Sequence, residues 1–257
     1  MNIRLLGTGT SQGVPILGCR CEVCLSIDDK DKRLRSSALI SDDDLNLVID
    51  CGPDFRQQML AAQVNHLEGI LLTHEHNDHI IGLDDIRPYN FRSGSPMNLF
   101  GSKNVLNELT QRFPYVFNTQ NKYPGAPEVT QNIIQKDIPF QWGKKWILPI
   151  EVMHGKLPVL AYRFGNTAYV TDVNYISPDS MLQLTGLDNL ILGVLQPLPH
   201  YSHFNVEEGL HVIEALKPKQ TFLIHCNHKM GLSTHFNKLL PENVRLGYDG
   251  QIIEANW

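Results

Sequence analysis

Residues 73–79 read Thr-His-Glu-His-Asn-Asp-His and carry the strongest structural signal in the chain. The apolar stretch 69–73 predicts a β-strand that ends at His74, so that the run enters a tight turn before a helix. Imidazole and carboxylate groups are preferred ligands of zinc and its neighbours among the first-row transition metals. Three histidines and an aspartate within six residues therefore predict a cradle for two metal ions.

Further metal ligands are expected at the ends of other strands, because one loop cannot fill two coordination shells. His154, Asp172 and His225 each stand directly after an apolar, strand-like run. In layered α/β proteins, functional groups collect where strands end along one edge. Each of these residues alone is a weak signal, since histidine and aspartate also end strands for reasons of turn formation. Together with residues 74–79 they complete a two-metal site.

The rest of the chain predicts a layered α/β body. Short runs rich in Ile, Leu and Val predict strands at 3–6, 45–49, 69–73, 146–153, 168–171, 190–194 and 221–224. Helices are predicted at 53–62, 103–112, 177–184 and 206–216. Strands with helices outside them imply stacked layers, and 257 residues suit a single domain spanning 1–257.

The segment 84–143 departs from this rhythm, because its aromatic residues lie among Pro, Gly and Asn. We expect a lid or an insertion here. It is either a surface loop packed by its own aromatic side chains, or a wall over the active site or a dimer contact. The sequence does not choose between these alternatives.

Composition excludes several classes of protein. The apolar fraction is 42%, the charged fraction is 19% and the net charge is -5, which is typical of a globular protein and argues against nonspecific nucleic-acid binding. The first residues lack the pattern of an export signal, and no apolar stretch approaches the roughly 20 residues that span a bilayer. We therefore expect a cytoplasmic protein without a membrane partner.

Three of the five cysteines, Cys19, Cys21 and Cys24, lie within six residues. Paired disulfides are hard to draw for such a cluster, and in a reducing compartment it more often holds a metal ion. Three thiolates are one ligand short of a closed tetrahedral zinc site. A fourth ligand must come from elsewhere in the chain.

Residues 73–79 match the T-H-x-H-x-D-H signature of the metallo-β-lactamase superfamily, which this chain resembles from residues 7–10 to residues 247–250. The later histidines and aspartate also fall in the order of that superfamily. The resemblance implies an α/β (α+β) fold, a four-layer αββα sandwich. It also implies that one metal is bound by His74, His76 and His154, that a second is bound by Asp78, His79 and His225, and that Asp172 bridges both.

Within the superfamily, residues 7–15 and 18–24 resemble the phosphodiesterases that accompany carbon–phosphorus lyase. The core is also similar to transfer-RNA 3′-processing endonucleases. This resemblance implies that His228 joins the three cysteines in one structural zinc site. A second possibility is that the cysteines are free and His228 is an unrelated exposed residue.

The resemblance also implies roles for residues around the phosphate. His203 resembles the general-acid histidine of the phosphodiesterases, with His200 as its rival and a plain helix-entry residue as the alternative. Phe204 and Asn205 differ from the small hydroxyl residues that often follow this histidine in the RNA-processing relatives. Asp50 resembles a supporting acid that hydrogen-bonds a ligand histidine.

The expected activity is hydrolysis of small cyclic or nucleotide-like phosphodiesters by a hydroxide that bridges two catalytic divalent metals, either Zn or Mn. The expected catalytic residues are Asp78, Asp172 and His203, with His203 protonating the leaving group. The alternatives are a thioesterase or lactonase on the same scaffold, an RNA-processing nuclease, or a noncatalytic metal-binding protein. A nuclease would need a basic arm, and the nearest basic cluster, in residues 30–35, is interrupted. A homodimer is compatible with the sequence.

Overall fold

The computed structural model of this chain describes residues 1–42, 45–118, 120 and 122–257. Within these residues the strands are β1 (Asn2–Gly7), β2 (Ser37–Asp42), β3 (Leu45–Ile49), β4 (Gly69–Leu71), β5 (Met97–Gly101), β6 (Val129–Ile133), β7 (Phe140–Trp142), β8 (Lys145–His154), β9 (Leu157–Phe164), β10 (Thr167–Val170), β11 (Asn189–Gly193), β12 (Gln220–Ile224), β13 (Val244–Leu246) and β14 (Ile252–Glu254). The helices are α1 (Phe55–Ala61), α2 (Asn77–Ile80), α3 (Arg87–Ser93), α4 (Lys103–Arg112), α5 (Pro114–Phe117), α6 (Pro178–Gln183), α7 (Val206–Leu216) and α8 (Ser233–Phe236). Short 3-10 helices lie at Asp29–Asp31, Ile81–Ile86 and His228–Met230. None of the described helices is long and apolar enough to cross a bilayer.

The strands form two mixed sheets of seven strands each. The first sheet has the order β14-β1-β2-β3-β4-β5-β6, and its strands from β3 to β6 are parallel. The second has the order β13-β12-β11-β10-β9-β8-β7, and its strands from β10 to β13 are parallel. Parallel strands need crossover connections, and helices lie on the outer faces of the sheets for this reason.

Three apolar layers hold the sandwich together. In β3, Leu47 and Ile49 belong to the layer between the sheets, together with Tyr162 of β9 and Tyr169 of β10. Val48 points the other way and packs in the layer beneath α1 and α4, because successive side chains of a strand face opposite sides. A third layer lies between the second sheet and α6 and α7. This arrangement confirms the predicted four-layer αββα fold.

The segment 84–143, predicted as a lid or an insertion, contributes strands to both sheets. Its strands β5 and β6 extend the first sheet beyond β4, and β7 forms the edge of the second sheet. The signal was missed because β6 is an edge strand whose side chains, Val-Thr-Gln-Asn-Ile, are half-buried or exposed and form no apolar run. The aromatic side chains do pack on one another beyond α4, with the rings of Tyr115 and Tyr123 stacked at 5.9 Å. Residues 119 and 121 of this segment lie outside the described part of the chain.

Candidate metal centre

The predicted metal ligands meet at one edge of the sandwich, where β4, β8, β10 and β12 end. His154 is the last residue of β8, while Asp172 and His225 follow β10 and β12 within two residues. Both Asp172 and His225 adopt the left-handed conformation, with φ of 49° and 57°. That conformation is uncommon for residues other than glycine and is found disproportionately at functional sites. The backbone is thus turned sharply at the points where the predicted ligands stand.

The three residues predicted to bind the first ion lie together. His74 is fully buried, and its Nε2 lies 3.0 Å from Nδ1 of His76. The ring centroid of His154 lies 5.2 Å from that of His76 and 5.9 Å from that of His74. The donor atoms of the loop and of the distant strand β8 therefore converge, although their role as ligands stays a prediction.

The residues predicted for the second ion surround Asp172. Its Oδ2 lies 3.2 Å from Nε2 of His79 and 3.2 Å from Nδ1 of His225. Oδ2 of Asp78 lies 3.2 Å from the same Nε2 of His79. One carboxylate oxygen of Asp172 thus stands between two histidines that are both predicted for the second ion, His79 of α2 and His225 after β12. Its role as a bridge to the first ion stays a prediction.

Asp50, on the buried side of the site, fixes the orientation of the His79 ring. This aspartate is fully buried with φ of 62°. It accepts hydrogen bonds from the backbone and hydroxyl of Thr73, both at 2.8 Å, and from Nδ1 of His79 at 2.6 Å. Because Nδ1 carries the proton that it donates to Asp50, Nε2 is left to face the centre.

The electrostatics of the pocket fit divalent cations. Burial alone would raise the pKa of Asp172, but His225 and His79 outweigh it and hold the pKa well below its usual value. The same balance of burial against His79 and His225 lowers the pKa of Asp78. Nε2 of His79 is buried and faces carboxylate oxygens of Asp78 and Asp172, each at 3.2 Å. Ionised carboxylates and imidazole nitrogens, gathered in a buried pocket, are a donor set for Zn or Mn.

Two hydroxyl groups that the sequence did not single out contact His225. Oγ1 of Thr10 lies 3.3 Å from its Nε2, and Oγ of Ser36 lies 3.3 Å from its Nδ1. Thr10 belongs to the glycine-rich turn, which is hydrogen-bonded to the backbone of Cys226. The Cys226 amide donates to the Thr8 carbonyl oxygen at 3.0 Å, and the Thr10 amide donates to the Cys226 carbonyl oxygen at 3.2 Å. No sequence signal marks Ser36, because it is 189 positions away from its partner.

Arg112 is a further residue that the sequence did not identify. As the last residue of α4, it donates from Nη1 to the carbonyl oxygen of Glu75 at 2.6 Å and to Oδ1 of Asn77 at 2.8 Å. These two partners are the residues of the loop between the predicted ligands. An arginine in the last turn of a helix is ordinarily explained by the helix dipole, which conceals such a role in the sequence.

His203 and His200 both lie beside the centre, but His203 lies closer to the acid. Nδ1 of His203 is 3.9 Å from Oδ1 of Asp172, and its ring centroid is 4.4 Å from that of His154. His200 lies 5.2 Å from His203 between ring centroids. Burial, with His225 next to it, lowers the pKa of His203 to about 2. The donor atoms of His154, Asp172 and His203 also lie within 4.8 Å of one another, so His203 could act either as a ligand or as a proton carrier.

The backbone of the segment 200–205 holds His154 and His203 in place. The carbonyl oxygen of Ser202 lies 2.7 Å from Nδ1 of His154. Helix α7 begins three residues after His203 and is capped reciprocally by Asn205 and Glu208. Such a capping box fixes the point at which a helix starts, so that the 200–205 segment is tied both to the centre and to α7.

The cysteine cluster and His228 form a second group of donors. Nδ1 of His228 lies 3.2, 3.4 and 3.5 Å from the sulfur atoms of Cys19, Cys21 and Cys24. The backbone amide of Cys24 is the main cause that lowers the pKa of Cys21 to about 6. Three thiols and one imidazole within 4.8 Å of one another suit a tetrahedral zinc ion. Zinc binding by these four residues stays a prediction.

A cleft of about 560 Å³ opens over the centre. The described residues that line it are Thr10, Ser11, Gln12, Ile16, His76, Asn77, Asp78, His154, Asp172, Leu195, His200, Tyr201, Ser202, His203, His225, Asn227, His228 and Lys229. None of these described lining residues comes from the segment 84–143, so the predicted wall over the active site is not found there. The cleft instead joins the His/Asp centre to the edge of the cysteine cluster.

Comparisons with known sequences agree on a fold family. A family model described as a beta-lactamase superfamily domain matches residues 45–226. A Porphyromonas gingivalis protein named octanoyltransferase is 39% identical over 252 residues, which are 97% of this chain and 51% of that protein. The coenzyme PQQ synthesis protein B of Methylobacterium nodulans is 31% identical over 124 residues, or 43% of this chain and 40% of that protein. The chain therefore spans about half or less of the length of these curated relatives.

Comparisons with solved structures agree as well. A diphosphatase of the PhnP family is 34% identical with a TM-score of 0.91, covering 98% of this chain and 96% of its own. Zinc-bound PqqB from Methylobacterium extorquens has a TM-score of 0.79 at 18% identity, covering 99% of this chain and all of its own. The short form of human tRNase Z has a TM-score of 0.68 at 16% identity, covering 99% of both chains. The last two show a shared fold.

Proposed function

Because the chain belongs to the beta-lactamase superfamily and, within it, to the PhnP family, we propose that it is a metal-dependent phosphodiesterase acting on small cyclic or nucleotide-like phosphodiesters. Membership of this superfamily supports hydrolysis as the class of reaction. The observation that carries the finer proposal is Oδ2 of Asp172, which lies 3.2 Å from a histidine on each side, in a cleft that also holds His203.

We assign the first cation to His74, His76 and His154, and the second to Asp78, His79 and His225, with Asp172 shared between them. Two divalent cations held there would lower the pKa of a water molecule and neutralise the negative charge of the phosphate. The convergence of these side chains in one buried pocket supports a site for two cations, and the family resemblance is what divides the ligands between them.

The side chains of this protein then position the reactants and move the protons. Oδ2 of Asp172 faces the metal centre, and Oδ1 of the same residue faces His203. Asp172 can therefore orient the attacking water relative to the imidazole of His203. A neutral imidazole at His203 can accept a proton on the side of the water and return it to the leaving oxygen. His200 is farther from Asp172 and is better placed to contact the substrate than to transfer that proton.

Rival activities find less support in the cleft. A thioester has a thiolate leaving group and needs no acid, whereas this cleft places two histidines beside the metal centre. A lactone releases an alkoxide, and its hydrolysis is separated from that of a phosphodiester by the assay below. The Porphyromonas relative is named for octanoyl transfer, but this chain matches only 51% of that protein. The part of the relative that has no counterpart here can carry the octanoyl transfer. An RNA nuclease would require a basic surface around the cleft, and the described lining includes a single lysine and no arginine.

The proposal is tested with purified protein and bis(p-nitrophenyl) phosphate. We expect metal-dependent cleavage, which Asp78→Ala nearly abolishes. His203→Ala should slow cleavage about 100-fold or more on diesters with poor leaving groups, and much less on nitrophenyl esters. His200→Ala should show a weaker dependence on the leaving group, and His235→Ala, an exposed histidine of α8, serves as the matched control.

Two outcomes contradict the proposal. One is metal-loaded protein that hydrolyses thioesters or lactones but no phosphodiester. The other is an equal loss on good and poor leaving groups in His203→Ala, which would remove the proton-carrying role and leave His203 as a ligand. Transfer of an octanoyl group by the purified chain would favour the activity named for the Porphyromonas relative.

A further inference from the structure

One wall of the cleft is formed by residues 227–229, directly after the metal-centre strand β12. The backbone amide of Asn227 donates to the Leu195 carbonyl oxygen at 3.0 Å, and its side-chain amide donates to Oε1 of Gln196 at 2.8 Å. The backbone amide of Lys229 donates to Oδ1 of Asn227 at 2.8 Å. His228 between them contacts the three cysteines. The backbone that carries Lys229 is therefore held firmly, while its side chain is exposed.

Lys229 brings a positive charge to this wall. It is the one lysine or arginine among the described residues that line the cleft, where the acids are Asp78 and Asp172. No described residue hydrogen-bonds or pairs with its ammonium group, although such pairs are common elsewhere on the surface, for example between Lys219 and Asp188. A cation without a partner, on a rigid support beside a phosphate-handling centre, is free to bind an anionic group of the substrate.

Tyr201 lies on the same part of the cleft. Tyr201 is 84% exposed, and its ring lies tilted against that of His200, with centroids 4.7 Å apart and planes at 32°. His200 is also a neighbour of Lys229, whose charge adds to burial and to His154 in lowering the pKa of His200. The tyrosine ring thus touches an imidazole and leaves most of its surface exposed, where a planar group can pack against it.

We propose that Lys229 and Tyr201 form a second subsite, in which the ammonium group binds a second phosphate and the tyrosine ring stacks on a nucleobase. The substrates would then be nucleotides joined through a diphosphate. This inference rests on the proposed function and narrows it. A phosphodiester carries one negative charge and a diphosphate bridge carries two, so the second phosphate needs a cation away from the metal centre.

The reaction at such a substrate is balanced by water alone. The water oxygen bonds to one phosphorus, the bond from that phosphorus to the bridging oxygen breaks, and that oxygen leaves with the second phosphate. Two nucleoside monophosphates form, and the protons of the water pass to the products or to solvent. The departing nucleoside monophosphate is a stable anion and needs no proton from His203, whose role as an acid concerns diesters with alkoxide leaving groups. Lys229 would hold the departing phosphate, which carries the charge released by the broken bond.

The test compares diadenosine diphosphate with methyl p-nitrophenyl phosphate, which has neither a second phosphate nor a base. We expect Lys229→Gln to lower kcat/KM for diadenosine diphosphate about 10- to 100-fold more than for the small diester. Lys229→Arg should restore most of this difference. Lys238→Gln, which removes an exposed lysine of the segment after α8, is the matched control.

Tyr201 is tested on the same pair of substrates. Loss of base stacking in Tyr201→Ala should lower the preference for diadenosine diphosphate about tenfold, and Tyr201→Phe should retain it. Equal losses on both substrates, or none, in Lys229→Gln and Tyr201→Ala would overturn the subsite and leave the phosphodiesterase proposal standing. Wild-type protein that cleaves neither substrate would remove the proposed function itself, and the subsite with it.

Discussion

Asp50 shows how one buried residue can determine the properties of the metal centre without entering it. It accepts three hydrogen bonds, two from Thr73 and one from Nδ1 of His79. The two from Thr73 hold the start of the histidine-rich loop against β3, and the third fixes which nitrogen of His79 faces Asp172. The residue thus couples the position of the loop to the tautomer of a predicted ligand.

Replacing this acid should weaken metal binding. In Asp50→Asn the amide keeps the shape of the side chain but loses the charge that holds the His79 proton. We expect the affinity of the His/Asp centre for Mn²⁺ to fall about 10- to 100-fold, measured by calorimetric titration. Asp188→Asn, which changes a half-buried acid paired with Lys219, should not alter that affinity. An unchanged affinity in Asp50→Asn would show that Asp50 only supports the fold.

Some residues of the site could be predicted from sequence and others could not. Ligand types that follow apolar runs, such as His154, Asp172 and His225, are visible because their chemistry and their strand-end positions coincide. Thr10 and Ser36 were not visible, because hydroxyl residues are common in turns and nothing local distinguishes one that contacts a histidine far along the chain. Resemblance supplied the pairing of ligands with individual ions, which spacing alone does not give.

At the scale of elements, α4 is more than a covering helix of the first sheet. Ser102 caps its N-terminus by accepting from the Val105 amide, and Val105, Leu106 and Leu109 pack in the outer core. Its last residue, Arg112, is thereby brought over the histidine-rich loop. There it donates to Glu75 and Asn77, the two loop residues that are not expected to bind metal.

This contact gives a prediction about metal affinity. Removing the guanidinium group in Arg112→Ala should free the loop backbone and weaken metal binding about fivefold, which corresponds to about 1 kcal/mol for a partly exposed hydrogen-bonded charge. Arg92→Ala removes an arginine from the last turn of α3 that donates to the Asn65 carbonyl, away from the centre. The account is contradicted if both variants bind Mn²⁺ equally well.

The elements also show where sequence patterns fail. The predicted bounds of α4 and α7 agree with the structure, because both helices have a capping residue and a clear apolar face. Strands β6 and β7 were missed because they lie at the edges of the sheets and keep few buried side chains. The apolar runs of the interior strands β3, β4, β10, β11 and β12 were found, since strands buried on both faces are continuously hydrophobic. The interior strands β2, β5 and β9 were also missed, so position within the sheet alone does not decide which strands the sequence reveals.

At the scale of the whole molecule, the sandwich brings together groups that lie far apart in sequence. The loop after β4 belongs to the first sheet, while β8, β10 and β12 belong to the second. Their ends meet because the layer of apolar side chains between the sheets fixes how the two sheets face each other. The metal centre therefore depends on the packing of the entire sandwich, and a sequence motif predicts only the part contributed by the first sheet.

The most direct test of this account is a metal titration of protein stripped by a chelator, following bound ions and hydrolysis of bis(p-nitrophenyl) phosphate together. We expect about three ions per chain, one on the cysteine cluster and two at the centre, with activity returning as the last two bind. Asp172→Ala should lose the paired ions and the activity while keeping the ion of the cysteine cluster. Activity in the stripped protein, or an Asp172→Ala variant that binds three ions and remains active, would contradict the central claim that Asp172 joins two cations in one pocket.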